Sequence, residues 1–430
     1  MKLKTTGVAR IALAATAAAA GGAVAQAPKQ VVTGPVAEYW VSAETISGMA
    51  GMMSGGQPSP QAMISMMMGG GPKASANHNL TLQLGSSRKT AGPSAQHTPT
   101  AALGTRGALP LVTPTVVRPE REDGPHVPQQ FEKPRGKILL FWGCGAQTRQ
   151  GQPAVLDMSK LGTTSAPAFA AAFKPLNYTA MKPPSPQRHA TYGVWPNDRS
   201  PMSVPPRGSL AGEHVVSGNY TPDIRFNLTA AQDFLAPIAL QARETPAGAS
   251  LNWNAVAGAR AFLASAVGGG DRDTVALWIS SEAQAAAFIA PDYLSQGDIA
   301  RLVEQKQLMA PQTTTCALPK GFVDAAPSAM ISLVAYGGEA NFSHPPRPTD
   351  PKVPWNIEWT TKVRYRSATG TVLGMGDMGG MGGMGMPDDE DEEAPAARPT
   401  QQRGRPQQPM SPQEAARQAM KKGLGGLLGN

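Results

Sequence analysis

Apolar and polar residues alternate with a period of two in several segments that lie between glycine- and proline-rich stretches. In VAEYWVSAETISG (residues 36–48), aromatic and β-branched residues run up to a glycine and predict a strand. In HNLTLQLGSS (78–87), Leu80, Leu82 and Leu84 alternate with polar partners, as a half-buried strand requires. KILLFWGCG (137–145) is a continuous apolar run bounded by glycine, the pattern of a strand covered on both faces, and PAVLDMSKL (153–161) reads as another. EHVVSGNYTPDIRFNLT (213–229) supplies two short strands around a turn. Residues 88–135, apart from the apolar stretch ALPLV (108–112), read as irregular. So do residues 162–212, broken by KPPSPQRH and SVPPRGS.

The most informative segment is LAPIALQARETPAGASLNWNAVAGARAFLASAVGGG (235–270). A strand follows a proline, a turn carries Gly248, and SLNWNAV sets Leu251, Trp253 and Ala255 on one face. AGAR turns the chain and AFLASAV returns it. Leu251, Trp253, Ala255, Val256, Gly258, Ala259 and Phe262 together resemble the opening strands of a fibronectin type III-like module. The resemblance implies a two-sheet sandwich in which the Trp253 indole fills the middle of the core. TVALWISS (274–281) is the next strand expected. GDIARLVEQKQL (297–308) has Ile299, Leu302 and Val303 at helical spacing, which would be an insertion in such a module. AMISLVAYGGEANF (329–342) reads as a strand pair, and WNIEWTTKVRYRSATGTVLG (355–374) alternates through Ile357, Trp359, Val363 and Tyr365. KILLFWGCGAQ and TVALWISSEAQ share an outline too short to establish a repeat.

The expected fold class is mostly β, with one or two β-sandwich domains of immunoglobulin or fibronectin III type, long irregular loops and disordered tails. The expected organisation is a signal peptide over 1–27, then a strand and a Met/Gly-rich segment over 28–76. A β-rich domain over 77–229 and the fibronectin III-like sandwich over 230–372 follow. The tail, 373–430, carries Met/Gly, acidic and basic stretches and a short terminal helix. In that helix Ser411 and Glu414 stand at capping-box spacing, with Pro412 at the first position.

Composition adds a compartment. Lys2, Lys4 and Arg10 precede the uncharged run IALAATAAAAGGAVA, and small residues follow at Ala25 and Ala27. The run is too short for a membrane span and reads as a cleaved secretory signal, placing the mature protein in the periplasm or outside the cell. No later segment is apolar enough to cross a membrane. Removal of three cations takes the formal net charge from +8 to about +5. The remaining basic residues are scattered, whereas a nucleic-acid binder gathers them into a patch, so nucleic acid is excluded as a partner class. In an oxidising compartment Cys144 and Cys316 are expected to pair. Glycine and proline, 47 and 41 of 430 residues, exceed the globular norm and place irregular segments between folded ones.

Candidate chemistry is sparse. No nucleophile elbow, HExxH, Walker A or EF-hand pattern occurs. Gly374, Gly376 and Gly379 satisfy GxGxxG, but no helix follows to receive a pyrophosphate. The histidines, at 78, 97, 126, 189, 214 and 344, are dispersed and read as isolated surface or core residues. Asp271, Asp273, Glu282 and Asp292 are available for paired-carboxylate chemistry but read as solvated turn acids. The seven tryptophans fit core positions better than a sugar-stacking platform. The sharpest alternative lies in MGDMGGMGGMGM (375–386). Met375, Met378, Met381 and Met384 recur every third residue, and thioethers select Cu(I). No histidine or cysteine accompanies them, and six acids, Asp388–Glu393, follow at once, so a linker is the stronger reading. The sequence therefore predicts an exported envelope protein with a binding or structural role, no identifiable catalysis, and another envelope component or protein as partner. The alternatives are a periplasmic copper binder and a secreted hydrolase or carbohydrate-binding module.

Overall fold

The structure is a computed structural model that describes residues 30–54, 76–114, 136–158, 176–200, 204–270, 273–284 and 290–374. The expected signal segment, most of the first Met-rich tract, Met375 to Met384, the acidic run and the expected terminal helix lie outside these residues. The described chain is mostly β, 45% strand against 8% helix, arranged in several sheets without a barrel. Among the described residues no helix is long and apolar enough to cross a membrane.

In chain order the strands are β1 (Val32–Thr33), β2 (Ala37–Ser47), β3 (Asn77–Ser86), β4 (Ala95–Thr98), β5 (Leu109–Leu111) and β6 (Lys137–Trp142). There follow β7 (Ala154–Asp157), β8 (Thr191–Trp195), β9 (Gly212–Gly218), β10 (Ile224–Leu228), β11 (Gln241–Thr245) and β12 (Gly248–Asn252). The last are β13 (Ala259–Gly268), β14 (Thr274–Ile279), β15 (Thr315–Pro319), β16 (Met330–His344), β17 (Trp355–Asn356) and β18 (Trp359–Val372). Among the described residues three α-helices, α1 (Gly48–Ser54), α2 (Gln296–Glu304) and α3 (Lys320–Ala325), lie between them.

Nine strands form one mixed sheet in the order β7-β6-β14-β13-β16-β18-β2-β3-β8. A four-stranded sheet, β10-β9-β4-β5, and a three-stranded sheet, β11-β12-β15, supply residues to the core on one of its faces. The alternation read from sequence determines that face. Tyr39, Val41 and Ala43 of β2, Leu80, Leu82 and Leu84 of β3, and Val363 and Tyr365 of β18 point inward. They meet Val216, Ile224, Phe226 and Leu228 of the four-stranded sheet and Ala249, Leu251 and Leu318 of the three-stranded one. Each leucine buried in this way contributes about 1.5–3 kcal/mol of transfer free energy.

The large sheet draws strands from both sides of the boundary expected at residue 230, whereas the four-stranded sheet lies wholly before it and the three-stranded one wholly after. β18 runs parallel to β2, pairing Trp359 with Ala37 through to Thr369 with Ser47, and β14 runs parallel to β6. Both pairings join strands remote in sequence, and local alternation carries no information about them. The outline shared by KILLFWGCG and TVALWISS belongs to two neighbouring strands, with Phe141 opposite Trp278. Two segments read as irregular contain strands, β4 within 88–135 and β8 within 162–212, while β5 coincides with the apolar stretch 108–112. Each is only three to five residues long, too short to show a period. Residues 329–342 hold one long strand instead of a pair, because Gly337 and Gly338 form a bulge between Tyr336 and Glu339 instead of a turn.

Within 235–270, β11 and β12 form a hairpin in the three-stranded sheet, and β13 crosses to the large one. Trp253 is buried and its ring centre lies 5.7 Å from that of Phe262. The expected helix is α2. Ser295 caps it, its hydroxyl accepting from the Asp298 amide, and Ile299 and Leu302 pack on the outer face of the large sheet.

Candidate functional site

The outer face of the large sheet changes character along β18. In WTTKVRYRSATGTV the inward residues are apolar or small, whereas Lys362, Arg364 and Arg366 project outward at period two. Parallel pairing sets Trp40 opposite Lys362, Ser42 opposite Arg364 and Glu44 opposite Arg366. On the other side, β16 places Tyr336 opposite Arg366 and Glu339 opposite Arg364. A charged strip thus crosses three strands beside the apolar patch that α2 covers.

Its two arginines are held differently. Arg366 is 2% exposed and sits against Glu44, 2.5 Å from Oε1, and donates to the Asp292 carbonyl at 2.9 Å. Burial by itself disfavours its charge, but Glu44, Tyr293 and Asp292 more than offset that, so its pKa is raised. Arg364 is only partly buried, yet its pKa is lowered. Desolvation is the larger influence and outweighs the help of Tyr293, Asp292 and Glu339. Its Nε donates to Ser42 Oγ at 2.8 Å, and Nη1 lies 3.9 Å from the Met181 sulfur. The guanidinium carbon lies 4.1 Å from the centre of the Tyr293 ring and 4.9 Å from that of Trp40. Among the described residues no carboxylate forms an ion pair with it; Glu339 instead pairs with Lys362. The stacked guanidinium keeps hydrogen-bonding capacity that a thioether, a weak acceptor, does not satisfy. The strip continues through Gln83, which donates to Tyr192 Oη at 3.2 Å, to Glu38 beside His189 at 3.4 Å.

A second polar cluster lies inside the sandwich. Tyr39 Oη is 2.8 Å from His97 Nδ1, His97 Nε2 is 3.1 Å from His214 Nδ1, and His214 Nε2 is 2.7 Å from the Leu210 carbonyl. The terminal carbonyl can only accept, so His214 donates from Nε2, His97 donates from Nε2 to His214, and Tyr39 donates to His97. Both rings are then neutral. Burial, with His214 second, holds His97 well below the usual imidazole range, and burial raises Tyr39. None of the three is more than 1% exposed, and the Phe226 ring stacks on His214 at 5.0 Å. The chain joins β2 to β4 and β9. It ties the two layers together and is closed to any substrate.

The residues singled out from sequence fall in several places. Cys144 and Cys316 form a disulfide, flanked by backbone hydrogen bonds from Gly145 to Ala317 and from Lys320 to Ala146. Met375, Met378, Met381 and Met384 lie outside the described residues. Among the described residues no group of three His, Cys, Asp or Glu is placed to hold a metal ion. Glu282 pairs with Arg149 and Asp292 with Arg366, which sets these two acids apart in separate ion pairs. Trp195, Trp253, Trp278 and Trp359 are core residues. Trp40 and Trp355 carry cations over their rings, Arg364 on one and Arg347 on the other. The charged strip and the histidine pair were not read from sequence. The strip had a signal, three cations at period two in one strand; His97 and His214, 117 positions apart, had none.

The chain matches no family model, no curated protein and no solved structure. The likeness of residues 235–270 to fibronectin type III modules therefore rests on their sequence pattern alone.

Proposed function

We propose that this chain is an exported, non-catalytic binding protein of the cell envelope whose ligand site is the charged strip on the outer face of the large sheet. The observation that carries the reading is Arg364. It stacks on Trp40 and Tyr293 and is anchored through Nε by Ser42, without an acidic partner among the described residues. Arg366, two residues away on the same face, has two acids. A guanidinium with its plane fixed by aromatic rings and one edge left to a thioether is organised for an oxyanion, which it binds through paired hydrogen bonds.

The test is thermal unfolding of the full chain with acetate, succinate, phosphate and sulfate, alongside Arg364→Gln. A ligand at a hundredfold excess over its Kd stabilises the folded state by about 2.7 kcal/mol. At least one anion is expected to raise the midpoint of the wild type and to leave Arg364→Gln unmoved. No shift with any anion, or equal shifts in both proteins, overturns the reading.

A further inference from the structure

Glu339 stands directly opposite Arg364 in the antiparallel β16–β18 pair, where cross-strand partners ordinarily meet. It turns instead to Lys362, which takes Oε2. Its other oxygen, Oε1, is fully buried and accepts no hydrogen bond among the described residues. The Glu339 side chain is 8% exposed, so the orphan is not relieved by open solvent. The bulge at Gly337–Gly338 shifts the register immediately before Glu339, and bulges of this kind re-aim a side chain. A Cβ at Gly337 would come within 2.9 Å of Tyr365, so the bulge is built with glycine by necessity. A buried carboxylate oxygen without a donor is costly, and a hydroxyl brought by a ligand would relieve it.

Among the described residues Arg364 thus has only the Ser42 hydroxyl and a thioether as acceptors, and Glu339 Oε1 has no donor; the two residues are direct cross-strand neighbours. Lys362, Arg364 and Glu339 leave a local excess of one positive charge. Resting on the ligand site proposed above, we infer that the ligand is a monocarboxylate bearing a hydroxyl group: the carboxylate faces Arg364 and the hydroxyl donates to Glu339 Oε1. A small hydroxy acid and a sugar acid share this chemistry.

Calorimetric titration of the full chain with matched probes tests it. Lactate is paired with propionate, which lacks the hydroxyl, and galacturonate with galactose, which lacks the carboxylate. The expected result is that lactate binds at least tenfold tighter than propionate, or galacturonate at least tenfold tighter than both propionate and galactose. Which acid binds separates the two sources. Glu339→Gln is expected to bring the hydroxylated acid to within about threefold of propionate, and Arg364→Gln to abolish binding of both. If Glu339→Gln does not fold, the wild-type ratios decide alone. Propionate binding as tightly as lactate and galacturonate, and needing Arg364, overturns the hydroxyl assignment (the orphan oxygen then belongs to a water) while the anion site stands. Binding of no acid overturns the hydroxy-acid assignment, and the anion site falls with it when phosphate and sulfate also leave the wild-type unfolding midpoint unmoved.

Discussion

Arg366 and Glu44 show how a single residue pair sets the cost of a polar face. Both are buried against each other, so removing Arg366 leaves Glu44 charged and without compensation, while removing Glu44 leaves Arg366 only the more exposed Asp292. Arg366→Met is expected to cost about 3–5 kcal/mol in urea unfolding. Glu44→Gln with Arg366→Met together should cost less than the sum of the two single changes, because the second removes the charge that the first orphaned. A single-variant cost under about 1 kcal/mol would contradict the buried pair.

His97 and His214 make a different residue-scale prediction. Both pKa values are lowered in the folded chain, chiefly by burial. The unfolded chain takes up protons on these rings as the pH falls through about 6.5, while the folded chain resists. Their contribution is therefore complete above that pH and is lost below it. The midpoint of thermal unfolding should fall between about pH 6.5 and pH 5, and a His97→Leu/His214→Leu variant should show a shallower fall. A wild-type midpoint that stays level over this window would show that the rings titrate normally.

At the scale of elements, close approach decides where glycine is required. A Cβ at Gly193, in β8, would lie 2.5 Å from Tyr220 Oη and 2.9 Å from the Leu111 carbonyl. Gly193→Ala is expected to destabilise by about 1–3 kcal/mol, since backbone has to move. Gly297, in the first turn of α2, meets nothing within 4 Å, so Gly297→Ala should stabilise by up to about 1 kcal/mol. Chemical denaturation of the two variants side by side checks both signs. Elements were legible where the pattern was long. The eleven residues of β2, the ten of β3 and the amphipathic α2 were plain in the sequence. β4, of four residues, was not, because so short a run shows no period and takes its strand conformation from its neighbours. The bulge in β16 was hidden for a related reason. A Gly-Gly pair between apolar runs fits a hairpin turn as well as a bulge, and only the partner strand β18, continuous on the far side, distinguishes them.

At the scale of the whole molecule, the disulfide and the parallel pairings do similar work. Cys144 follows β6 in the nine-stranded sheet, and Cys316 lies in β15 of the three-stranded one, 172 positions away. Closing a loop of that length restricts the unfolded chain by about 5 kcal/mol in the chain-entropy account. Cys144→Ser/Cys316→Ser should lower the denaturation midpoint accordingly, with the slope showing any change in the unfolded state. An unchanged midpoint in the double variant would remove the disulfide from the account of stability.

The sequence by itself determined the strand-rich class and the inward and outward faces of its longer strands, because side-chain direction in a strand follows local alternation. It also held the two cysteines and the row Lys362, Arg364, Arg366. Tertiary structure alone decided that residues 37–47 lie beside 359–369, and that His97 meets His214. It also decided that Glu339 turns to Lys362 and leaves Arg364 against two aromatic rings. Those contacts join positions tens to hundreds of residues apart, and what selects them is the burial of a common face and the closure of backbone hydrogen bonds across the sheet, neither of which is written in any one segment.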